Sequence, residues 1–334
     1  MFLEFLLIFF SALFFIWLIK KYASTLGLID IPNQRSIHKI ETPSGAGIGF
    51  FVAITLIVFL FNLDIVSQNM WTCIAILLVF SIGVFDDYYD TSSTIKFIII
   101  SISSILLSLD DVIINHIGVF FGSDVSFGWF AIPFTIFAIV GFTNALNLID
   151  GLDGLAGTVS LIILSTFLLV GYQNHDHFIM LLSMVFIAGL LAFLLFNWSP
   201  ASIFMGDSGS LTLGFIISIL AIKSLVYLPA VSIFFITAIP LFDTIIVMTR
   251  RFINRRSICC PDRCHSHHVI RYFFQKDTKK TVLFMGLMQA IYSLIGLNLN
   301  RKLDEGYLLI LFILNIILFY LSLEAMIKRQ KREC

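Results

Sequence analysis

The sequence predicts an all-α polytopic membrane protein with about eleven transmembrane helices. Only 13% of its 334 residues are charged and 59% are hydrophobic, whereas ordinary soluble domains carry about 25% charged residues. The mean hydropathy is +0.99, and apolar runs long enough to cross a bilayer recur along the whole chain. The alternation of apolar and polar residues in segments of about 10 residues that marks a transmembrane barrel is not seen.

The eleven predicted spans follow one another with short connections. They cover approximately residues 2–20, 45–63, 70–87, 95–110, 129–147, 155–172, 178–196, 208–223, 229–249, 281–299 and 306–327. The first is too long for a signal-peptide core and has no small-residue cleavage site, so we expect it to be retained.

The basic residues predict the orientation of these spans. With the N-terminus outside, all 21 Lys and Arg residues except Lys223, Arg301 and Lys302 fall in cytoplasmic connections or in the C-terminal tail. Basic residues prefer the cytoplasmic side of a membrane. The sequence thus predicts an N-terminus outside the cytoplasm and a cytoplasmic C-terminus.

We expect one integral-membrane domain, residues 1–334, with two distinctive connections. Residues 110–128 alternate apolar and small polar residues and predict a hairpin-like loop outside the cytoplasm. Residues 250–280 form a basic, histidine-containing cytoplasmic loop. The five cysteines indicate no disulfide framework, the formal net charge is zero, and nothing points to nucleic acid.

The segment Asn144–Gly157 joins two apolar runs and is the centre of the functional hypothesis. It reads NALNLIDGLDGLAG and repeats Asp-Gly-Leu with a period of three, which places Asp150 and Asp153 on one side of a helix or tight turn. Its glycines leave room for a ligand near the backbone. A capped turn between helices is the simpler alternative, but charge at a membrane boundary is costly and indicates function.

A second acidic group follows the third predicted span, in Gly83-Val-Phe-Asp-Asp-Tyr-Tyr-Asp90. If the helix continues, Asp86, Asp87 and Asp90 share a face. Neighbouring carboxylates repel one another unless a cation neutralises them, and Mg²⁺ prefers carboxylates together with phosphate oxygens. Lys96 adds a positive charge nearby. A solvated acidic loop is the alternative interpretation.

A third motif, Phe204-Met-Gly-Asp-Ser-Gly-Ser210, precedes the eighth predicted span. Asp207 or Ser208 is a good N-cap for the helix that follows. A helix N-terminus preceded by glycine is also an anion-binding site. Capping alone explains one of these residues but not the whole motif.

Two cytoplasmic loops supply basic and histidine side chains. Arg35 and His38 of the first loop are candidates for phosphate contacts, with an exposed polar loop as the alternative; glycines after Pro43 predict a pliable start of the second span. The last long loop contains Arg263, His265, His267 and His268 beside three cysteines. Zinc is disfavoured because the paired ligand spacings of zinc sites are missing.

Asp243 lies well within the ninth predicted span, shortly after Pro240. A carboxylate at that depth is expensive to bury. Either it supports the site or it pairs with a basic residue, and the sequence favours neither.

Together these motifs resemble the polyprenyl-phosphate N-acetylhexosamine-1-phosphate transferases of the MraY–WecA superfamily (glycosyltransferase 4). The matching residues, in order, are Asp86-Asp87-x-x-Asp90, Asn144-x-x-Asn147-x-x-Asp150-Gly-x-Asp153, Phe204-Met-Gly-Asp207-x-Gly-Ser and Pro261-Asp-Arg-x-His265-x-His267-His268. The last motif is similar to the WecA type, whereas the three-histidine run of the MraY type is missing. Ser266 departs from the aliphatic residue usual in WecA-type proteins.

The resemblance implies transfer of a sugar 1-phosphate from a UDP-N-acetylhexosamine, first of all UDP-GlcNAc, to undecaprenyl phosphate, with release of UMP and with Mg²⁺ or Mn²⁺ as cofactor. Such a reaction starts a cell-surface polysaccharide of the O-antigen, common-antigen or teichoic acid type. Phosphoryl transfer depends mainly on positioning and charge stabilisation. Direct attack by the lipid phosphate and a covalent phospho-Asp intermediate are both compatible with the motifs.

The resemblance also assigns roles to residues. The catalytic candidates are Asp86, Asp87 and Asp207. The metal ligands are Asp207, Asp86, Asp87 and Asp150. The substrate-binding candidates are Asp90, Lys96, Asn144, Asn147, Asp150, Asp153, Arg263, His265, His267, His268, Arg35 and His38. Many members of the family dimerise, so a homodimer is compatible with the resemblance, although no residue pattern demands one.

Other functions are weighed against this one. The same chemistry with UDP-FucNAc, UDP-QuiNAc or UDP-MurNAc-pentapeptide keeps the site and changes the sugar. A secondary transporter would also carry intramembrane acids and broken helices, but its acids would lie at the midplane and its halves would repeat. A non-catalytic membrane scaffold would not need several polar loops with matching chemistry.

Overall fold

The computed structural model describes residues 1–32, 40–253, 265–299 and 303–329. The described helices, in chain order, are α1 Phe2–Leu26, α2 Ala46–Phe61, α3 Leu63–Gln68, α4 Met70–Tyr89, α5 Ser93–Leu107, α6 Ala131–Ile149, α7 Leu155–Gln173, α8 His177–Asn197, α9 Asp207–Ser224, α10 Ala230–Ile236, α11 Ala238–Ile253, α12 Ser266–Phe273, α13 Thr278–Asn298 and α14 Glu305–Arg329. Four short strands complete the fold: β1 Ile29–Asp30, β2 Thr42–Pro43, β3 His116–Phe120 and β4 Ser123–Ser126.

The chain is a helical, multi-pass membrane protein. Within the described ranges, nine helical segments are long and apolar enough to cross a bilayer, and α10 with α11 forms a tenth, bent candidate. The predicted span 45–63 corresponds to α2, which at 16 residues is shorter than a typical span. Each predicted span overlaps a described helix, whereas a count of eleven crossings and their orientation stay predictions.

Helix α9 is the central element, because nearly all of its residues are buried. Helices α4, α6, α7 and α2 pack around it. Glycines lie where these helices approach most closely. If Gly83 of α4 carried a Cβ atom, that atom would lie 2.6 Å from the Asp207 carbonyl oxygen of α9. A Cβ atom on Gly214 of α9 would lie 2.7 Å from Cα of Thr143 in α6. Small residues let helices approach closely within a membrane, and here they bring three span ends together.

The glycines that follow Pro43 have a packing role rather than the pliable one expected from the sequence. A Cβ on Gly47 would lie 2.2 Å from the backbone nitrogen of Gly209. The N–H groups of Ala46 and Gly47 donate to the carbonyl oxygens of Phe204 and Met205 at 3.0 and 2.9 Å. The start of α2 is therefore fixed against the segment that leads into α9.

The predicted span 229–249 is broken rather than continuous. Helices α10 and α11 meet at Thr237 with a bend of 86°. Pro240 lacks the N–H that would bond to the Ile236 carbonyl in an unbroken helix. Gln289 of α13 repairs the break, since its Nε2 donates to the Ile236 oxygen at 2.6 Å and its Oε1 accepts the Ile239 N–H at 3.1 Å. The bend directs α11, and with it Asp243, toward the site described below.

Residues 110–128 contain an antiparallel hairpin of β3 and β4. The Asp304 carboxylate, just before α14, accepts the backbone N–H groups of Phe121 and Gly122 at 2.8 Å each. The hairpin is thereby tied to α14 at the opposite ends of the spans from the acidic residues.

Candidate active site

The acidic motifs meet at one cavity of about 590 Å³, where the C-terminal end of α4, the turn after α6 and the N-terminus of α9 come together. Residues predicted from the sequence that line this cavity are Asp86, Asp87, Asn147, Asp150, Asp153, Asp207 and His268. Segments more than a hundred residues apart thus contribute carboxylates to one space.

Asp87 is tied to the first turn of α9. Its carboxylate accepts the backbone N–H of Asp207 at 2.6 Å and that of Ser208 at 3.2 Å, which satisfies two of the donors exposed at a helix N-terminus. Gly206 precedes this turn with φ +77°, and a Cβ there would lie 2.6 Å from both Asp87 carboxylate oxygens. Glycine is therefore required at position 206 on both conformational and steric grounds.

Lys96 joins the acidic group at the end of α4 to the motif that begins α9. Its ammonium lies 3.0 Å from Oδ2 of Asp86 and 2.8 Å from Oδ2 of Asp207. The other oxygen of Asp86 accepts the N–H and the hydroxyl of Thr91 at 2.8 and 2.6 Å. Two carboxylates from different helices therefore already share one cation.

Asn147, from the Asn144–Gly157 segment, joins that segment to the motif that begins α9. Its Nδ2 donates to Oδ1 of Asp207 at 3.0 Å and to the Ser210 hydroxyl at 2.8 Å. With Lys96 on Oδ2 and Asn147 on Oδ1, the carboxylate of Asp207 is held from both sides. A side chain held in this way is prepared for a reaction that depends on positioning.

Asp150 and Asp153 lie in the turn between α6 and α7. Burial, followed by the neighbouring carboxylates of Asp207, Asp87 and Asp153, raises the pKa of Asp150 well above its usual value. Asp153 accepts the backbone N–H of Ala201 at 3.0 Å. In this turn, the negative charge of Asp150 is therefore poorly compensated, whereas the carboxylate of Asp153 is anchored to the segment before α9.

Asn197, at the end of α8, is a site-forming residue that the sequence interpretation missed. Its buried side chain accepts the Gly154 N–H at 2.7 Å and donates to the Ile203 carbonyl at 2.9 Å. It thereby ties the Asp150–Gly154 turn to the segment that leads to Asp207. The sequence did contain a signal for Asn197, because it is an amide at the end of a long apolar run and lies on the same predicted side of the membrane as the acidic residues.

The three histidines beyond the basic loop form a stack at the edge of the cavity. The ring centroids of His265 and His267 are 5.5 Å apart, and those of His267 and His268 are 4.3 Å apart. His268 lines the cavity. His267 is buried against Gly151. A residue with a Cβ atom at position 151 would bring that atom to 2.9 Å from the imidazole Nε2. Burial lowers the pKa of His267 to about 3, so this ring is neutral at pH 7.

Not every predicted residue reaches the cavity. Helix α4 ends at Tyr89, so Asp90 adopts φ 48° as its exposed C-cap and does not share a face with Asp86 and Asp87. The expectation of one continuous acidic helix face is wrong because the helix ends one residue too early. Asn144 lies in α6 but does not line the cavity. Arg35, His38 and Arg263 lie outside the described residues.

The side chains at the cavity fit a hard divalent cation. Five carboxylates converge there (Asp86, Asp87, Asp150, Asp153 and Asp207), and the ammonium of Lys96 pairs with two of them. Mg²⁺ and Mn²⁺ take carboxylate oxygens together with phosphate oxygens and water. In this structure the oxygens of Asp86 and Asp207 hold the ammonium of Lys96 between them.

Comparisons with known proteins agree with this geometry. A family model described as glycosyl transferase family 4 matches residues 69–225, a range that contains α4, α6 and α9 with their acidic residues. A probable undecaprenyl-phosphate N-acetylglucosaminyl 1-phosphate transferase of Bacillus subtilis (strain 168) is 34% identical over 302 residues, which cover 89% of this chain and 84% of that protein.

Two further relatives are undecaprenyl-phosphate alpha-N-acetylglucosaminyl 1-phosphate transferases. The Yersinia pestis protein is 30% identical over 95% of this chain and 89% of its own length. The Escherichia coli (strain K12) protein is 28% identical over 93% of this chain and 88% of its own length. These similarities cover most of the chain and confirm the resemblance seen in the sequence. The chain therefore belongs to glycosyl transferase family 4, together with these bacterial sugar 1-phosphate transferases.

Proposed function

We propose that this protein transfers N-acetylglucosamine 1-phosphate from UDP-GlcNAc to undecaprenyl phosphate, giving undecaprenyl-diphospho-GlcNAc and UMP. The observation that carries the proposal is the convergence of Asp86, Asp150 and Asp207 on one cavity with a histidine in its wall, in a chain that is 34% identical to a relative named for this reaction. The reaction needs a site for a diphosphate at the end of membrane spans, and this cavity has that chemistry.

The acidic residues hold the cation and the catalytic geometry. Asp207, Asp86 and Asp150 are the proposed ligands of Mg²⁺ or Mn²⁺, which when bound neutralises the charge of the diphosphate. Asp87 orders Asp207 through the backbone of α9. Since Asp87 does not contact Lys96 whereas Asp86 does, Asp87 is the better candidate of the two for receiving the proton of the lipid phosphate.

The remaining polar residues bind the substrates. Lys96 bridges Asp86 and Asp207 and offsets phosphate charge next to the reacting group. Asn147 and Asp153 line the same cavity and are the proposed contacts of the nucleotide diphosphate. His268, in the cavity wall, is placed to donate a hydrogen bond to the sugar nucleotide. These groups act by orientation and charge stabilisation, which dominate catalysis of phosphoryl transfer.

The placement of the acids favours an enzyme over a transporter. Asp86 and Asp87 lie in the last turn of α4, Asp150 follows α6, and Asp207 begins α9, so all four lie at span ends rather than at mid-span. A transporter binds its ion near the membrane midplane. We propose that this face is cytoplasmic, in the inner membrane, and that the product starts a cell-surface polysaccharide.

The direct test is a transfer assay with purified protein, undecaprenyl phosphate, Mg²⁺ and a panel of nucleotide sugars: UDP-GlcNAc, UDP-FucNAc, UDP-QuiNAc and UDP-MurNAc-pentapeptide. Mass spectrometry of the lipid fraction should show the GlcNAc product together with release of UMP. Asp207→Asn should fold, by its thermal unfolding profile, yet form no product. Absence of a lipid product with every donor would contradict the proposed reaction, and a different preferred donor would revise the sugar.

A further inference from the structure

The carboxylate of Asp243, in α11, is fully buried and is hydrogen-bonded to two residues at the start of α12. Its Oδ2 lies 2.6 Å from Nδ1 of His265. Its Oδ1 accepts the backbone N–H of Ser266 at 2.6 Å and the Ser266 hydroxyl at 2.5 Å. We call these contacts among Asp243, His265 and Ser266 the Asp243 latch.

The latch lies at the start of α12 and fixes its first residues. Asp243 and His265 are 22 positions apart, and Ser266 is the first residue of α12. The side chains of Val269 and Ile270 are buried further along the same short helix. Hydrogen bonds at its N-terminus and apolar packing along it therefore hold α12 in one orientation.

The position of His268 depends on that orientation. The imidazoles of His265 and His267 are stacked, that of His267 contacts the ring of His268 at an angle of 51°, and His268 is the one that lines the cavity. The middle ring, His267, is buried and packs closely against the backbone at Gly151, where there is no space for a Cβ atom. A displacement of the start of α12 would therefore move the imidazole at the cavity wall.

Asp243, His265 and His267 do not have the geometry of a metal site. Asp243, His265 and His267 bring ligand atoms within 4.8 Å of one another. However, the 2.6 Å between Oδ2 of Asp243 and Nδ1 of His265 is a direct hydrogen-bond distance, whereas two ligands on one tetrahedral zinc ion lie roughly 3.3 Å apart. The hydrogen bonds that Asp243 receives from neighbouring residues instead compensate the cost of burying its charge.

We propose that Asp243 is a positioning residue for the sugar-nucleotide side of the site: through His265 and the first turn of α12 it fixes His268 at the cavity wall. Ser266 takes part in this chain because its hydroxyl adds a donor that an aliphatic residue would lack. The inference rests on the proposed function, since it assigns the affected substrate as UDP-GlcNAc.

The test compares Asp243→Asn and Ser266→Ala with Asp176→Asn as a matched control. Asp176 also accepts a helix N-terminal N–H, from Ile179 at 3.0 Å, and a side-chain donor, Tyr227 Oη, at 3.0 Å, but it lies away from the cavity. Initial rates are measured as a function of each substrate, with thermal unfolding recorded for every variant.

Asp243→Asn should raise the KM for UDP-GlcNAc about 10-fold or more, as expected for a lost hydrogen bond to a charged group, with an unchanged KM for undecaprenyl phosphate. Ser266→Ala should raise the same KM about 3-fold, and the double variant should be no worse than Asp243→Asn because both changes break one unit. Asp243→Glu should recover part of the loss. Asp176→Asn should leave both KM values unchanged.

An unchanged KM for UDP-GlcNAc in Asp243→Asn, or an equal change of both KM values, would overturn the inference. If Asp243→Asn does not fold, an unchanged KM in Ser266→Ala decides against it. A wild-type protein without transferase activity would instead contradict the proposed function. In that case, calorimetric binding of UDP-GlcNAc tests the role of the latch without the transfer reaction. Equal affinities of the wild type and Ser266→Ala would refute this role, and so would the absence of binding to both proteins.

Discussion

The carboxylate of Asp87 accepts the backbone N–H of Asp207 at 2.6 Å, so the last turn of α4 caps the first turn of α9. One acidic residue of the candidate site thereby sets the position of another that is 120 residues later in the chain. A negative charge at a helix N-terminus is favourable for the capped helix. Among the long single helices that could span a membrane in the described ranges, α9 is the most buried, and it begins at the centre of the proposed chemistry.

Gly206→Ala should separate these two residues. The new Cβ would lie 2.6 Å from both carboxylate oxygens of Asp87, at a residue with φ +77°. We expect a loss of about 1–3 kcal/mol in the free energy of unfolding and a fall of about 10-fold or more in transfer rate, because Asp207 would be displaced. Thermal unfolding and a radiolabelled lipid assay measure these two effects.

Gly122→Ala is the matched control for that substitution. Gly122 has the same φ of +77°, but a Cβ added to it would meet no neighbouring atom of the described residues within 4 Å. It should therefore show the cost of a positive φ without the loss of activity, whereas Gly206→Ala carries in addition the cost of ψ 168°, a region almost restricted to glycine. Equal activities of the two variants would mean that the contact between Gly206 and Asp87 does not position Asp207.

Lys96→Met should slow transfer and change its dependence on Mg²⁺. Without the ammonium, Asp86 and Asp207 lose their shared partner at 3.0 and 2.8 Å. We expect a rate loss of about 100-fold, as for other charge-stabilising groups. We also expect half-maximal activity at a lower Mg²⁺ concentration, since the cation no longer competes with lysine. Magnesium titrations of the transfer rate measure both.

Lys223→Met provides the comparison for Lys96→Met. Lys223 is partly buried and donates to the backbone oxygen of Asp110 at 3.1 Å, far from the acidic cavity. Its loss should leave the Mg²⁺ dependence unchanged. A parallel shift in the two variants would show that Lys96 acts through general stability or surface charge rather than at the site.

Removal of divalent cations should abolish transfer. The cavity holds an excess of carboxylate oxygens and raises the pKa of Asp150, chiefly by burial and then by the neighbouring acids, which a bound cation would relieve. After EDTA treatment, Mg²⁺ or Mn²⁺ should restore activity and Zn²⁺ should not. Mn²⁺ binding followed by electron paramagnetic resonance should weaken in Asp150→Asn. Full activity in EDTA would refute a metal-dependent reaction.

Asn197→Ala should destabilise the site although the residue is not among the predicted acids and histidines. The variant leaves the Gly154 N–H and the Ile203 carbonyl without their buried partner, at a cost of about 1–3 kcal/mol for each unsatisfied group. We expect a lower unfolding temperature and reduced transfer, since the Asp150–Gly154 turn would be released. Differential scanning fluorimetry and the transfer assay test this.

Asn174→Ala is the control for Asn197→Ala. Asn174 bonds within its own helix end, to the Val170 carbonyl at 2.8 Å, and does not join two segments of the site. It should show a smaller change in unfolding temperature and normal transfer. If both variants retain full transfer, Asn197 has no role in holding the turn.

The helical membrane class can be assigned from the sequence alone, because apolar runs of span length need no tertiary information to be recognised. The same sequence makes Asp86, Asp87, Asp150 and Asp207 site candidates, because isolated charges next to such runs stand out against their cost in a membrane. The exact ends of the helices could not be predicted equally well. Helix α4 stops at Tyr89, one residue before Asp90, so Asp90 does not join the other acidic residues.

Which side chains meet depends on how the helices pack in three dimensions. The roles of Gln289 at the helix break, Asn197 behind the turn and Asp243 beneath the histidines depend on partners 6 to 53 positions away. No local pattern encodes such distances. A buried amide or carboxylate acquires its role from the donors that packing brings to it, and that packing is set by the close approach of α4, α6 and α9 at their glycines.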